Sequence, residues 1–258
     1  MCRWLAYWGP AVHMDSLIFE PEHSLVRQSL RARHGKLPTN GDGFGIGWYG
    51  ERAEPGLYRD ILPAWSDPNL KSLTHQVRSP LFFAHVRAST GTATSRANCH
   101  PFACGKWLFM HNGRIGGYER VKRPLESALA DGFYEQRLGT TDSELMFYLM
   151  LSLALDADPL GALARMLGLV QRTMRERKVE EPLSFTAALS NGESLIAARW
   201  ASDDEPPSLY WRADGDALVV VSEPLDERLG CWHEVPPNRL LVASCPAEPC
   251  IEEVRLAV

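Results

Sequence analysis

The chain has 258 residues, of which 45% are hydrophobic and 23% charged, and its formal net charge is −5. This is globular composition, long enough for one large domain or two small ones, and it excludes a disordered chain. The acidic balance and the lack of a polybasic segment argue against nucleic acid or an anionic membrane as a partner.

In chain order, residues 2–9 are largely apolar, with Trp4, Leu5 and Tyr7, and read as a first strand ending at Gly9-Pro10. Leu25, Val26 and Leu30 recur at helical spacing and predict a helix over Glu20–His34. The run Asn40-Gly41-Asp42-Gly43-Phe44-Gly45-Ile46-Gly47-Trp48-Tyr49 alternates glycine like a nucleotide loop. Its glycines merge into an aromatic strand with no helix behind it, so it reads as a turn feeding a tightly packed strand. A helix is expected over Asp67–Ser79 and a strand over Pro80–Ser89, and a second strand, Trp107–His111, runs into the tight-turn dipeptide Asn112-Gly113. Thr141 and Glu144 have capping-box spacing and open an apolar helix to about Leu155. Another helix spans Pro159 to about Lys178, with an Arg-rich end suited to the helix dipole. The last third is β: Ser184–Ser190, the turn Asn191-Gly192, Ser194–Trp200, Leu209–Trp211, Ala217–Ser222 and Arg239–Ala243. Strands, two long helices and strands again predict a layered α+β domain over residues 1–258.

The longest apolar stretch, Leu145–Leu155, is too short to span a bilayer and carries Tyr148 and Ser152, so it reads as a buried helix. The N-terminus lacks the basic start, apolar core and cleavage site of a signal peptide, and a cytoplasmic location is expected. The six cysteines are then expected as free thiols, with Cys245 and Cys250 at the surface or a sheet edge. Cys99, His100, Cys104 and His111 match no standard zinc spacing, so neither metal nor cofactor is expected.

Cys2 stands directly behind the initiator methionine. Once Met1 is removed, one residue carries both a thiol and a free α-amine, whose pKa of about 7.7–8.0 suits a general base. Three further stretches follow in order: His85-Val86-Arg87-Ala88-Ser89-Thr90, His111-Asn112-Gly113 and Thr141-Asp142-Ser143-Glu144. Each has an ordinary structural reading. Arg87 in an apolar strand suits an ion pair, Asn112-Gly113 a hairpin turn, and Asp142 the dipole of a helix start. As an ordered set with Cys2, they resemble the class II glutamine amidotransferases, whose glutaminase domains are N-terminal-nucleophile hydrolases.

That resemblance covers Cys2 to about residue 150 and, more loosely, the β-rich last third. It implies an α+β, four-layer αββα sandwich of two antiparallel sheets. It also implies that Cys2 attacks a γ-glutamyl carbonyl to form a thioester, which water hydrolyses. Asn112 and Gly113 would supply the oxyanion donors, Arg87 the fork for the α-carboxylate, Asp142 the acceptor for the α-ammonium and Thr90 a hydroxyl contact. Asp42 and Gly43 would support them. The Met-Cys-Arg opening followed by Gly9-Pro10 looks like the single-domain type that removes γ-glutamate in ergothioneine biosynthesis. Ala88 and Gly91, standing where many relatives differ, predict an open pocket mouth. Three functions fit: a glutaminase serving a separate ammonia-accepting synthase, a hydrolase of γ-glutamyl conjugates, or a non-catalytic subunit that keeps the glutamate pocket. The conjugate hydrolase is preferred, with Trp4, Trp8, Trp48, Trp65 and Trp107 as candidate stacking surfaces for a leaving group.

Overall fold

The computed structural model describes residues 2–32, 39–89, 91, 93–228 and 230–245, and the backbone of 250–253. The chain begins with β1 (Arg3–His13), α1 (Asp15–Ile18), α2 (Leu25–Leu30), β2 (Phe44–Tyr49), β3 (Gly56–Asp60), α3 (Pro68–Gln76) and β4 (Arg78–Val86). It continues through β5 (Phe102–Cys104), β6 (Trp107–Ile115), α4 (Tyr118–Glu126), α5 (Asp131–Tyr134), α6 (Asp142–Ser152) and α7 (Pro159–Glu176). The remainder is β7 (Leu183–Ser190), β8 (Leu195–Ala201), β9 (Tyr210–Asp214), β10 (Ala217–Val221), β11 (His233–Glu234), β12 (Arg239–Ala243) and β13 (Cys250–Glu253).

Two antiparallel sheets form, in the orders β11-β9-β10-β1-β4-β2-β3 and β13-β12-β8-β7-β6-β5. Side chains alternate across each strand, and the alternation sorts the core into three layers. Trp4, Ala6, Leu81 and Phe83 of the first sheet meet Leu108, Met110, Ala188 and Ala197 of the second between the sheets. Their neighbours Leu5, Tyr7, Phe82 and Ala84 face the other way, onto Met14, Ile18, Leu25 and Leu70 around α1–α3. On the outer face of the second sheet, Phe109, Phe185 and Ile196 pack on α4, α6 and α7. The result is the αββα sandwich that the resemblance implied. Nine consecutive residues of α6, Ser143–Leu151, are buried, because the helix is covered by α4, α5, α7 and β6 at once.

Several boundaries move. β1 continues past Gly9-Pro10 to His13, because its pairing with β4 shifts register between Trp8 and Val12 and so passes the proline. The helix expected over Glu20–His34 is described only over Leu25–Leu30: Ser24 caps it by accepting from the Arg27 N–H, and Arg31 is already extended. Residues 33–38 lie outside the described part. Asn112-Gly113 is not a turn; β6 runs straight through it, pairing Asn112 with Thr186 and Gly113 with Phe185. Only half of the capping box forms. Thr141 Oγ1 accepts from the Glu144 N–H, but the Glu144 carboxylate accepts from the Leu138 and Gly139 amides instead.

The glycine-rich run behaves as its packing reading expected. A Cβ on Gly45 would lie 2.2 Å from the His100 carbonyl oxygen, and one on Gly47 2.8 Å from Leu108. Among the described residues, no helix is long and apolar enough to cross a membrane, and no cluster of His, Cys, Asp or Glu fits a metal ion.

Candidate active site

The ends of β1, β4 and β6 and the start of α6 open into one cleft of about 1020 Å³. Cys2, Arg87, Asn112, Gly113 and Asp142 all line it. Thr90 lies outside the described residues. The two sheets cause this convergence: Arg3 pairs with Val86, so the residues just beyond those ends, Cys2 and Arg87, share one edge of the first sheet.

The Cys2 thiol contacts Ala88 twice, donating to its carbonyl at 3.6 Å and accepting from its N–H at 3.5 Å. Burial pushes the thiol pKa up, against the lowering influence of the Ala88 amide and the Arg87 and Arg3 charges. A neutral thiol needs a base before it attacks. The Cys2 carbonyl is held by Arg3, whose Nη1 donates to it at 3.0 Å. Arg3 is itself buried against Glu223, with Nε to Oε2 at 3.0 Å.

Arg87 is buried, with Nη1 donating to the Asp42 carbonyl at 3.2 Å and Nη2 to Ser89 Oγ at 3.3 Å and the Ala93 carbonyl at 3.4 Å. Its own N–H donates to the Gly43 carbonyl at 2.8 Å. Gly43 has φ +118°, and a Cβ there would sit 2.6 Å from Cys99 Sγ. Asp42 adds a carboxylate bond from the Ser89 N–H at 2.7 Å. Asp42 and Gly43 therefore hold the arginine and the turn after it.

Asn112 is 3% exposed, and its Nδ2 has no hydrogen-bond partner among the described residues. A buried amide donor without a partner carries a desolvation cost, and this one belongs to a side chain that lines the cleft. Gly113 has φ +153°, and a Cβ there would fall 2.0 Å from the Ser184 carbonyl oxygen and 2.6 Å from His111 Nε2. Any other residue would push β6 off β7.

Behind them, His111 joins β6 to α6. Its Nε2 faces the Ser184 carbonyl at 3.3 Å and its Nδ1 faces Ser143 Oγ at 2.8 Å. The carbonyl can only accept, so the ring proton is assigned to Nε2 and the serine hydroxyl donates to Nδ1. Burial lowers the His111 pKa, opposed by Asp142, which fits a neutral ring. Asp142 accepts from the Ile115 N–H at 2.8 Å and the Ser143 N–H at 2.8 Å, fixing its carboxylate at the first turn of α6.

Two neighbouring buried histidines, His85 and His100, stack at 4.3 Å. Burial lowers His85 to about 3 and His100 well below its usual value. Cys99 is a separate buried thiol that donates to the Asp60 and Ser95 carbonyls.

Two features were not visible in the sequence. The far wall of the cleft is the segment Asp203–Ser208, with Glu205, Pro206 and Pro207. Its anchor is the Pro207 carbonyl, which accepts from Thr186 Oγ1 and Arg199 Nε at 3.1 Å each. In the sequence this acidic, proline-containing stretch reads as an ordinary connection. The second feature is the Arg3–Glu223 pair. The stacking reading for tryptophan is corrected: no Trp lines the cleft, and Trp4 and Trp107 are fully buried between layers.

A family profile for class II glutamine amidotransferases matches residues 17–204. The probable glutamine amidotransferase DUG3 of Saccharomyces cerevisiae is 32% identical, across 93% of this chain and 81% of that protein. The gamma-glutamyl-hercynylcysteine sulfoxide hydrolase of Mycolicibacterium smegmatis is 31% identical, across 93% of this chain and 95% of that protein. Among solved structures, a glutamine aminotransferase class-II domain protein from Silicibacter pomeroyi superimposes with a TM-score of 0.80 at 38% identity, both chains covered in full. Glutamine phosphoribosylpyrophosphate amidotransferase from B. subtilis shares the fold, with a TM-score of 0.65 at 16% identity over half of its chain.

Proposed function

The chain belongs to the class II glutamine amidotransferases, and from that membership we propose that it hydrolyses a γ-glutamyl amide through a Cys2 thioester. The observation that carries this reading is the unpartnered Asn112 amide in a cleft that also holds Cys2, Arg87 and Asp142. Cys2 sulfur attacks the γ-carbonyl after its own α-amine, freed by removal of Met1, takes the thiol proton. The carbonyl oxygen, now an oxyanion, takes hydrogen bonds from Asn112 Nδ2 and the Gly113 N–H. That proton passes to the departing amine, the C–N bond breaks, and a γ-glutamyl thioester remains. Water attacks the thioester, releasing glutamate and restoring the thiol. Arg87 binds the α-carboxylate and Asp142 the α-ammonium, with Thr90 adding a hydroxyl.

We further propose a γ-glutamyl conjugate, rather than free glutamine, as the preferred substrate. Clefts of about 300–1,000 Å³ hold drug-sized ligands, and this one, at about 1020 Å³, extends past Asp142 to Tyr118, Arg120 and Asp203–Ser208. The hydrolase relative from Mycolicibacterium smegmatis, named for a γ-glutamyl conjugate, supports the same choice. Residues 1–258 are read as one domain, because β9–β11 extend the first sheet beside β1 and β12–β13 extend the second sheet beside β8. The free thiols of Cys2, Cys99, Cys104 and Cys245 suit a cytoplasmic location.

Intact-mass spectrometry before and after 6-diazo-5-oxo-L-norleucine tests the mechanism. Loss of Met1 and a single adduct on Cys2 are expected. A processed chain that takes no label, or takes it elsewhere, refutes the nucleophile. Comparing kcat/KM for glutamine and a chromogenic γ-L-glutamyl anilide tests the substrate; the anilide should be favoured, and a preference for glutamine removes the conjugate reading.

A further inference from the structure

Asn98 lines no part of the cleft, yet it is 1% exposed and every polar atom of its side chain is engaged. Its Nδ2 donates to the Ala93 carbonyl at 2.8 Å and to Thr140 Oγ1 at 3.2 Å. Its Oδ1 accepts from the Thr140 N–H at 2.8 Å. The Ala93 carbonyl is also the one that receives Arg87 Nη2 at 3.4 Å. Thr140 leads directly to the Thr141 cap and to Asp142. One buried amide thus joins the arginine and the aspartate across residues that are 42 positions apart in the chain.

The approach is close by construction. A Cβ on Gly139 would lie 2.6 Å from Asn98 Oδ1 and 2.9 Å from Glu144 Oε2. Glu144 accepts from the Leu138 and Gly139 amides at 3.1 and 2.8 Å, and Asn98 takes the next amide, Thr140. Three consecutive N–H groups before α6 are therefore held by two buried side chains. An Asp could not substitute, because a carboxylate oxygen would replace the donor that faces the Ala93 carbonyl.

We infer that Asn98 is a positioning residue that sets the separation of Arg87 and Asp142, and so tunes the cleft to the α-amino-acid head of a γ-glutamyl substrate. This rests on the roles proposed for those two residues. Recognition of a carboxylate and an ammonium on one carbon depends on the spacing of the two charges, and a displacement of about 1 Å costs on the order of 10²-fold.

The test compares a γ-L-glutamyl anilide with the glutaryl anilide, which lacks only the α-ammonium, in wild type and in Asn98→Ala. Wild type should prefer the γ-L-glutamyl substrate. Asn98→Ala should raise KM for it by about 10–100-fold with a much smaller fall in kcat, and the preference over glutaryl should shrink by a similar factor. Thr140→Ala, which removes only the hydroxyl link, should shift KM in the same direction by less, and Thr140→Ser should restore it. An equal fall in kcat/KM for both substrates, or unchanged discrimination in both Asn98→Ala and Thr140→Ala, overturns the inference while leaving the hydrolase reading standing. Should Asn98→Ala not fold, the two Thr140 variants decide by the same readout. Failure of wild type to cleave either substrate removes both.

Discussion

Replacing Asn112 with alanine separates a catalytic from a structural role, because the two roles predict opposite balances of activity and stability. Asn112 Nδ2 is buried and, among the described residues, has no hydrogen-bond partner. An unsatisfied buried donor costs about 1–3 kcal/mol, and the truncation removes that cost while leaving a small cavity of opposing effect. The net change in unfolding free energy is expected to stay within about 1 kcal/mol. The same amide is the proposed oxyanion donor, and losing one such donor costs about 10²–10³ in kcat, or about 2.7–4 kcal/mol of transition-state stabilisation. The assay pairs urea unfolding with steady-state hydrolysis of a γ-L-glutamyl anilide. Expected is a fall of about 10²–10³ in kcat at nearly constant KM and urea midpoint. A kcat within a few-fold of wild type refutes the oxyanion role. Loss of activity in step with loss of stability would instead show a structural amide.

Arg87→Lys should raise KM by at least about tenfold, because a point charge cannot reproduce the bidentate fork; unchanged KM in steady-state kinetics counts against the carboxylate clamp. Arg3→Met breaks a buried ion pair whose side chains are 1% and 3% exposed and should cost about 3–5 kcal/mol in urea unfolding. His85 predicts acid lability. Its folded pKa is lowered to about 3, so the unfolded chain binds its proton first, near pH 6.5. The neutral-ring stability is fully present above that pH and is lost as pH falls from there toward 3. By pH 5 the loss from this group is about 2 kcal/mol. His85→Leu should therefore flatten the dependence of the urea midpoint between pH 7 and 5, and parallel curves for the two proteins would disprove the assignment.

The sequence by itself determined a good deal of this protein, and the reasons are local. Period-two alternation in Trp4-Leu5-Ala6-Tyr7 and Leu81-Phe82-Phe83-Ala84 is what sorts side chains between the inter-sheet and outer layers. Asp67 and Thr141 cap α3 and α6 where their side chains reach amides two or three residues on. Cys2, Arg87, Asn112 and Asp142 were legible as an ordered set, and they line one cleft. Where local chemistry was read alone it misled. Asn112-Gly113 has the composition of a turn, but β7 offers a full ladder and the strand continues. Five tryptophans offer stacking faces by composition, but packing between layers buries Trp4 and Trp107.

What the tertiary structure alone decided is everything that depends on pairs distant in the chain. The Arg3–Glu223 bridge spans 220 positions, the Asn98–Thr140 link 42, and the wall at Asp203–Ser208 shares a cleft with Cys2 only because two sheets stack. None of these leaves a periodic trace, since a single hydrogen bond or ion pair needs one residue at each end and no repeat. The cost of burying those polar groups is met by partners that the fold supplies. Among the described residues, Asn112 Nδ2 is left without one.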